Sequence, residues 1–390
     1  MSLDGPQPDH RASRNGARPS KVVHLALAHD SRDVRVFEKE AVALASAGYD
    51  VSVVAPGAED GVERGVRLVS LPPAARARGA RAAAGRLRTI FDAAASLDPD
   101  LVHLHEPELV PVGLALRRRG IKIVYDAHED APLEALGINR HRPAKGYALA
   151  ALWRCHLALA VRTFDGFVAA TPDIARGLPA GRTATVRNFP SLERVRPGDL
   201  PMASRPPRIA YVGTIAVARG LLEVLDAMAA LPPDDPAELL LVGAFKPENL
   251  EAEARRHPGW TRVRHLGWRS WDEVLALLDE CRVGLVTLHP TPETVTSLPV
   301  KLFEYMAKGL PVVASDIPMW REIVEGAGAG LAVDPRDPAA IGRALARLLS
   351  SPDEAARMGQ AGRAAAVARY SWDGEAAKLI GLYERVLGPT

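Results

Sequence analysis

Short apolar runs alternate with helix-length stretches through this chain, and the alternation stops once and starts again. The strand Val22–Ala28 leads through His29-Asp30-Ser31-Arg32-Asp33 into a helix over Val34–Ala47, closed by Gly48, and the strand Val51–Ala55 follows at once. Strands are predicted at Leu101–Leu104, Lys122–Tyr125, Gly166–Ala169 and Thr183–Val186, and a helical stretch at Ala148–Thr163. Asn188-Phe189-Pro190 and the segment Pro197–Pro207, with four prolines, then read as a linker. Beyond it the pattern restarts with strands at Arg208–Val212, Leu239–Val242, Val263–Leu266, Val283–Leu288, Pro311–Ala314 and Gly330–Val333. Repeated strand, helix, strand units give mostly parallel sheets covered by helices on both faces. The expected fold class is therefore α/β in two Rossmann-like domains, 21–195 and 205–371, behind a disordered tail over 1–20.

A chain of 390 residues, 47% hydrophobic and 25% charged, can bury two medium-sized cores. Its formal charge of +2, balanced along most of the chain, gives no case for nucleic acid. No apolar run has the length of a membrane span and the first twenty residues lack an apolar signal core, so a cytoplasmic location is expected. Cys155 and Cys281 sit in separate helical stretches and read as reduced thiols. Between Ala74 and Ile90, Arg76, Arg78, Arg81, Arg86 and Arg88 carry no acid among them. They form either a solvated basic face or a weak peripheral contact with an anionic membrane, possible at the inner face.

Three strand ends in the first half carry polar clusters, and the carboxyl ends of strands are where open α/β sheets bind ligands. They are His29, Asp33 and Arg35 after the first strand, His105-Glu106-Pro107-Glu108 after Leu101–Leu104, and Asp126-Ala127-His128-Glu129-Asp130 after Lys122–Tyr125. The alternative for Asp33 is helix capping, and for the histidines a plain strand end. No GxGxxG follows the first strand, which argues against a dinucleotide cofactor. Each later cluster holds a single histidine, so a metal site would need partners from both, and none is expected.

In the second half, Gly213-Thr214 follows a strand and Arg219-Gly220 opens a helix. A glycine there lets a phosphate reach the backbone, and an arginine can clamp two of its oxygens. The stretch Ser297-Leu298-Pro299 leads into a helix over Val300–Lys308, capped by Gly309. Lys301 and Glu304 stand one turn apart near that helix start. Helix N–H groups with Lys301 suit a phosphate, and the carboxylate suits a ribose diol, which together make a nucleotide. The alternative is an amphipathic helix with a solvated Lys and Glu. Trp268, after the strand Val263–Leu266, is open to a binding or a core role.

KLFEYMAKGLPVVASD resembles the donor-nucleotide signature of retaining glycosyltransferases of family 4, and HLHEPELVPVGLALRRRGIKIVYDAHED resembles the N-terminal domain of a bacterial subgroup of them. The resemblance runs over nearly the whole chain from Val22. It implies the GT-B fold, two Rossmann-like domains facing a central cleft, the first taking the acceptor and the second the nucleotide-sugar, with the segment 372–390 packing back on the first. It implies transfer of a sugar from a nucleotide diphosphate, UDP first and GDP second, with retention and without metal or other cofactor. The acceptor is a glycan, a lipid-linked sugar or a small molecule, as in polysaccharide or glycoconjugate synthesis. By resemblance His128 contacts the donor sugar near the reacting centre. Glu304 matches the second of two family glutamates, Arg219 matches a lysine that grips the diphosphate, and the backbone around Trp268 reads the base. His29, Asp33, Arg35, His105, Glu106 and Glu129 are candidates on the acceptor or sugar side. The chain departs from the pattern at Thr296, where the first glutamate is usual, at Ser297-Leu298-Pro299, where Gly-Phe-Gly is usual, and at Thr214, where an arginine is usual. These departures keep open a degenerate, non-catalytic partner subunit, and the shared fold keeps open a nucleotide-sugar 2-epimerase.

Overall fold

The computed structural model describes residues 18–388 except 58, 72–78 and 140. It divides into two compact units, one of residues up to Val186 with those from Ala376 onward, the other Arg187–Glu375. The division falls before the proline segment rather than within it. Phe189 and Val195 are buried in the core of the second unit, where the Phe189 ring lies 4.7 Å from that of Phe303 and 5.4 Å from that of Tyr370.

The first unit contains strands β1 (Lys21–Leu25), β2 (Asp50–Pro56), β3 (Gly61–Glu63), β4 (Val66–Leu71), β5 (Leu101–Leu104), β6 (Lys122–Ala127), β7 (Gly166–Ala169) and β8 (Thr183–Thr185). They form one sheet in the order β3-β4-β2-β1-β5-β6-β7-β8. All pairs are parallel except β3 with β4, an edge hairpin that the sequence reading did not separate from its loop. The predicted helix after β1 is π-helical over Val34–Ala41 and α-helical only over Val42–Ser46. Both Phe37 N–H and Glu38 N–H donate to the Asp33 carbonyl, the wide register of a π turn, a rare form that recurs at functional sites. Arg81, Arg86 and Arg88 are exposed on the helix Ala80–Ser96, while Leu87 is half-buried and Ile90 is buried. The larger apolar side chains of that helix thus face inward, and membrane attraction there would rest on charge alone. Arg76 and Arg78 lie outside the described residues.

Alternation along the strands sorts the first unit's side chains by face. Val23, Leu25, Val102, Leu104, Ile123, Tyr125 and Ala127 build an apolar core on one face. His24, His103 and Asp126 occupy the alternate positions, with His105 next along from β5. The C-terminal helix Trp372–Leu387 starts in the second unit and ends in the first, where Leu379, Leu382 and Tyr383 are buried.

The second unit has strands β9 (Arg208–Val212), β10 (Glu238–Val242), β11 (Val263–Gly267), β12 (Val283–Val286), β13 (Val312–Ser315) and β14 (Gly330–Val333), all parallel, in the order β11-β10-β9-β12-β13-β14. Both faces are apolar. Ala210, Leu240, Val312 and Ala314 enter one core, and Ile209, Leu239, Leu241 and Val313 the other. That explains why these strands read as continuous apolar runs. Among the described residues no helix is long and apolar enough to cross a membrane, and both cysteines are free.

Candidate active site

Strand register gathers the first unit's polar groups. His24 on β1 pairs in register with His103 on β5, and His105 follows on the same face. His103 in turn pairs with Val124 on β6, which sets His105 beside Asp126. The outcome is a buried chain of contacts: His24 Nδ1 lies 2.9 Å from His105 Nε2, and His105 Nδ1 lies 3.1 Å from His128 Nε2. Tyr383 closes the far end at 2.8 Å from His103 Nδ1. Burial holds His24 and His103 well below the usual histidine range and lowers His105 to about 4.

Asp126 is the hub. Arg35 donates to both of its oxygens, at 3.0 and 2.9 Å, and to the Val186 carbonyl at 3.1 Å. Burial pushes the Asp126 carboxyl up, but Arg35 and the bonds from His128 and His105 outweigh it and hold it well below the usual range. Glu40, 3.0 Å from Arg35, goes the other way: burial, then the neighbouring Asp126, pushes it well above the usual carboxylate range. His128 Nε2 stands 2.8 Å from Asp126 Oδ2. An ionised carboxylate only accepts, so that nitrogen carries a proton, and in the neutral ring Nδ1 holds the lone pair.

Arg35 and His105 therefore stand behind the site rather than in it, because both are buried and their polar atoms are spent on Asp126 and its neighbours. Glu106 is also inward, accepting from Leu27 N–H and Ala28 N–H, which fixes the loop after β1. Asp33 does cap its helix, accepting from Arg35 N–H and Val36 N–H, and it also holds His29 Nδ1 at 3.2 Å. That hydrogen bond raises the His29 pKa. The His29 ring lies 4.9 Å from that of His128, and Glu129 is exposed. Sequence reasoning missed His24, His103 and Tyr383, and had Asp126 only as a member of the cluster after β6. The His-x-His spacing at 103 and 105 was the available signal, since it puts both rings on one face of a strand.

Two groups of side chains in this unit have the composition of a metal site: His24, Glu40, His103 and His105, and His105, Asp126 and His128, each within 4.8 Å. Arg35 already brings a positive charge to both carboxylates. The depressed histidines make the first unit acid-labile. A lowered folded pKa means that the unfolded chain binds more protons below about pH 6.5, so the stability is present above that value and is lost as pH falls. His105 alone accounts for about 2 kcal/mol at pH 5. Asp126 adds to the loss at lower pH, while His29, raised by Asp33, and Glu40 and Glu106, raised by burial, oppose the loss from His24, His103 and His105. The urea midpoint of the first unit is expected to drop between pH 7 and pH 5; an unchanged midpoint would contradict this electrostatic assignment.

The second unit holds a bare backbone and two cations. Gly213 and Gly243 have φ of 127° and 142°, and a Cβ on Gly243 would fall 1.8 Å from the Gly213 carbonyl oxygen. Only glycine fits there. A guanidinium nitrogen of Arg219 lies 3.5 Å from where a Gly213 Cβ would be, and the Arg219 side chain makes no hydrogen bond or ion pair among the described residues. Thr214 is half-buried and its hydroxyl makes no hydrogen bond among them either. The helix Val300–Ala307 begins after Pro299 with no side-chain cap. Lys301 Nζ lies 2.5 Å from Glu304, which is buried and also accepts from Trp271 Nε1 at 3.2 Å. Trp271 is a supporting residue that the sequence reading passed over.

Ser297 and Leu298 shape the approach to that helix. The Ser297 carbonyl accepts from Trp320 Nε1 at 2.8 Å, and Leu298 packs on the core. The Thr296 hydroxyl donates to the Pro292 and Glu293 carbonyls, while the Glu293 carboxylate accepts from Thr291. Trp268 is 74% exposed, so of its two roles the core one is excluded.

Comparison with known proteins decides the family. A model described as "Glycosyl transferases group 1" matches residues 197–365, and one described as "Glycosyl transferase 4-like domain" matches residues 34–189. The chain is a group 1 glycosyltransferase. This transferase is 29% identical over 332 residues to the MMP alpha-(1->4)-mannosyltransferase of Mycolicibacterium hassiacum, covering 80% of this chain and 74% of that one. Among solved structures it is similar to the sucrose-phosphate synthase of Thermosynechococcus elongatus, with a TM-score of 0.75 at 21% identity over 95% of this chain and all of that one. It is also similar to HepE of Anabaena in complex with UDP and glucose, with a TM-score of 0.71 at 16% identity over 94% and 99% of the two chains. These likenesses give the transferase the GT-B fold.

Proposed function

We propose that this transferase moves a sugar from a nucleotide diphosphate, UDP-linked first and GDP-linked second, to an acceptor hydroxyl with retention at the anomeric carbon and without a metal. The observation that carries the reading is the unpaired Arg219 guanidinium over the bare Gly213 backbone, in the same unit as an uncapped helix start with Lys301 and Glu304. HepE, solved with UDP and glucose, supports the UDP choice.

The donor's C1–O bond to phosphate breaks, and a bond from the acceptor oxygen to C1 forms on the same face. The acceptor proton passes to the departing phosphate oxygen. Negative charge grows on the leaving diphosphate, where Arg219, Lys301 and the N–H groups at Val300 stabilise it. Glu304 takes the ribose hydroxyls, and main-chain atoms around Trp268 take the base. The first unit's task is the reacting sugar and acceptor. There the His128 Nδ1 lone pair accepts a sugar hydroxyl, while Asp126 polarises the ring so that positive charge on the sugar is favoured. A covalent intermediate needs a free carboxylate. Asp126 is saturated by Arg35 and Glu106 by backbone N–H groups, which removes these two carboxylates from that role.

Proton NMR of the first product formed from an α-linked UDP-sugar, in EDTA, tests the stereochemistry. An α-linked product is expected; a β-linked product, or turnover only with added divalent cation, would contradict the proposal.

A further inference from the structure

Four buried side chains of the first unit meet where β1, β5 and the π-helical segment come together. His24 and His103 are register partners on β1 and β5, His105 follows on the same face, and Glu40 comes from Val34–Ala41. Each offers one ligand atom, and those atoms all lie within 4.8 Å of one another. The hydrogen bonding of the group is incomplete. His24 Nε2, His103 Nε2 and both Glu40 oxygens are sealed from water and make no hydrogen bond among the described residues. Glu40 Oε1 has the ion pair with Arg35 at 3.0 Å, without the alignment of a hydrogen bond. Buried polar atoms left unpaired cost free energy, and four in one cluster ask for an occupant that accepts lone pairs.

Three further contacts suit a cation. His24 Nδ1 and His105 Nε2 stand 2.9 Å apart, and two ring nitrogens that close need either a shared proton or a shared ion. The outer nitrogens are already held as those of metal-bound histidines are, His103 Nδ1 by the Tyr383 hydroxyl at 2.8 Å and His105 Nδ1 by Asp126 at 3.5 Å. Arg35 is divided between two carboxylates, Glu40 and Asp126, and a second cation answers the charge that one guanidinium leaves.

We propose that His24, Glu40, His103 and His105 form a structural site for one divalent transition ion of the zinc type. Three imidazoles and a carboxylate are a closed four-ligand set for such an ion. Bonds of about 2.1 Å in a tetrahedron set ligand atoms about 3.4 Å apart, so the widest pair has to draw in by roughly an ångström and a half. With every ligand buried, the ion fastens β1 and β5 to the π-helical segment and fixes the His105 ring behind Asp126 and His128. It takes no part in bond breaking. The inference goes beyond the transferase reading and is independent of it, because the groups assigned to the diphosphate lie in the other unit. An enclosed ion leaves only when its unit opens, so EDTA in a transfer assay on the folded protein does not remove it.

Metal content and spectroscopy of the untagged full chain test the site. The protein is expressed in minimal medium with Zn2+ or with Co2+, passed over a chelating resin to strip surface ions, and assayed by elemental analysis. About one ion per chain is expected from either medium, with the visible absorption of tetrahedral Co2+ in the second. His24→Gln and His103→Gln are each expected to lower the content at least about fivefold, while His257→Gln in the second unit leaves it unchanged. Far-UV circular dichroism and the urea transition of the first unit show whether the variants fold. A wild type holding less than about a tenth of an ion per chain from both media overturns the site, as does an ion retained in both folded variants. Where neither variant folds, the wild-type cobalt spectrum decides: tetrahedral bands support the site, and octahedral bands or none overturn it. The transferase reading stands or falls separately, on product formed from a nucleotide-sugar.

Discussion

Arg35→Met is expected to destabilise the first unit by about 3–5 kcal/mol, the range for removing one partner of a buried ion pair. The size follows from what is left behind. Asp126 is fully buried and ionised, and Arg35 supplies two of its hydrogen bonds. Without Arg35 the carboxylate keeps the contacts to His128 and His105, while Glu40 loses the guanidinium 3.0 Å away. The double variant Arg35→Met/Asp126→Leu removes both charges and should recover much of the loss. Urea unfolding of the two units, followed as separate transitions, is the check. A single variant within 1 kcal/mol of wild type, an order-of-magnitude bound, would mean that Asp126 is not held as an ion.

The second large effect is on rate. His128→Ala is expected to lower kcat by about 10²–10³, the cost of removing one preorganised electrostatic group, with little change in KM for the donor. His24 and His103 also have a ring nitrogen without a partner, but both are fully buried, whereas His128 is half-buried, with Nε2 on Asp126 and Nδ1 making no hydrogen bond among the described residues. The variant removes a single donor from Asp126, so stability should fall far less than in Arg35→Met. Initial rates at saturating donor decide it. A kcat within a factor of three of wild type would remove His128 from the reaction, on the same electrostatic scale.

The fold was legible because both sheets are buried on parallel strands whose apolar runs are bounded by turn residues, as in Leu239–Val242 and Val312–Ser315. The helix start at Val300 was legible too, through Pro299 before it and Gly309, with φ of 71°, after it. Other features hid for physical reasons. The domain boundary was placed at the prolines, but Phe189 and Val195 find apolar partners only in the second core, and burial outweighs linker composition. Arg35 reads as a ligand-side candidate at the start of the first helix, but the π turn carries it inward to Asp126. The polar cluster needs the register of β1, β5 and β6 together, and Tyr383 arrives from the far end of the chain. No local pattern encodes such juxtapositions.

The central claim, a metal-free nucleotide diphosphate site built on Arg219 and Lys301, is tested most directly by thermal unfolding in EDTA with UDP and GDP. The proteins compared are wild type, Arg219→Ala and Lys301→Ala. One nucleotide is expected to raise the wild-type midpoint, adding about 2.7 kcal/mol at a hundred times its dissociation constant, and both variants should lose most of that gain. No shift with either nucleotide, or a full shift retained in both variants, would contradict the account.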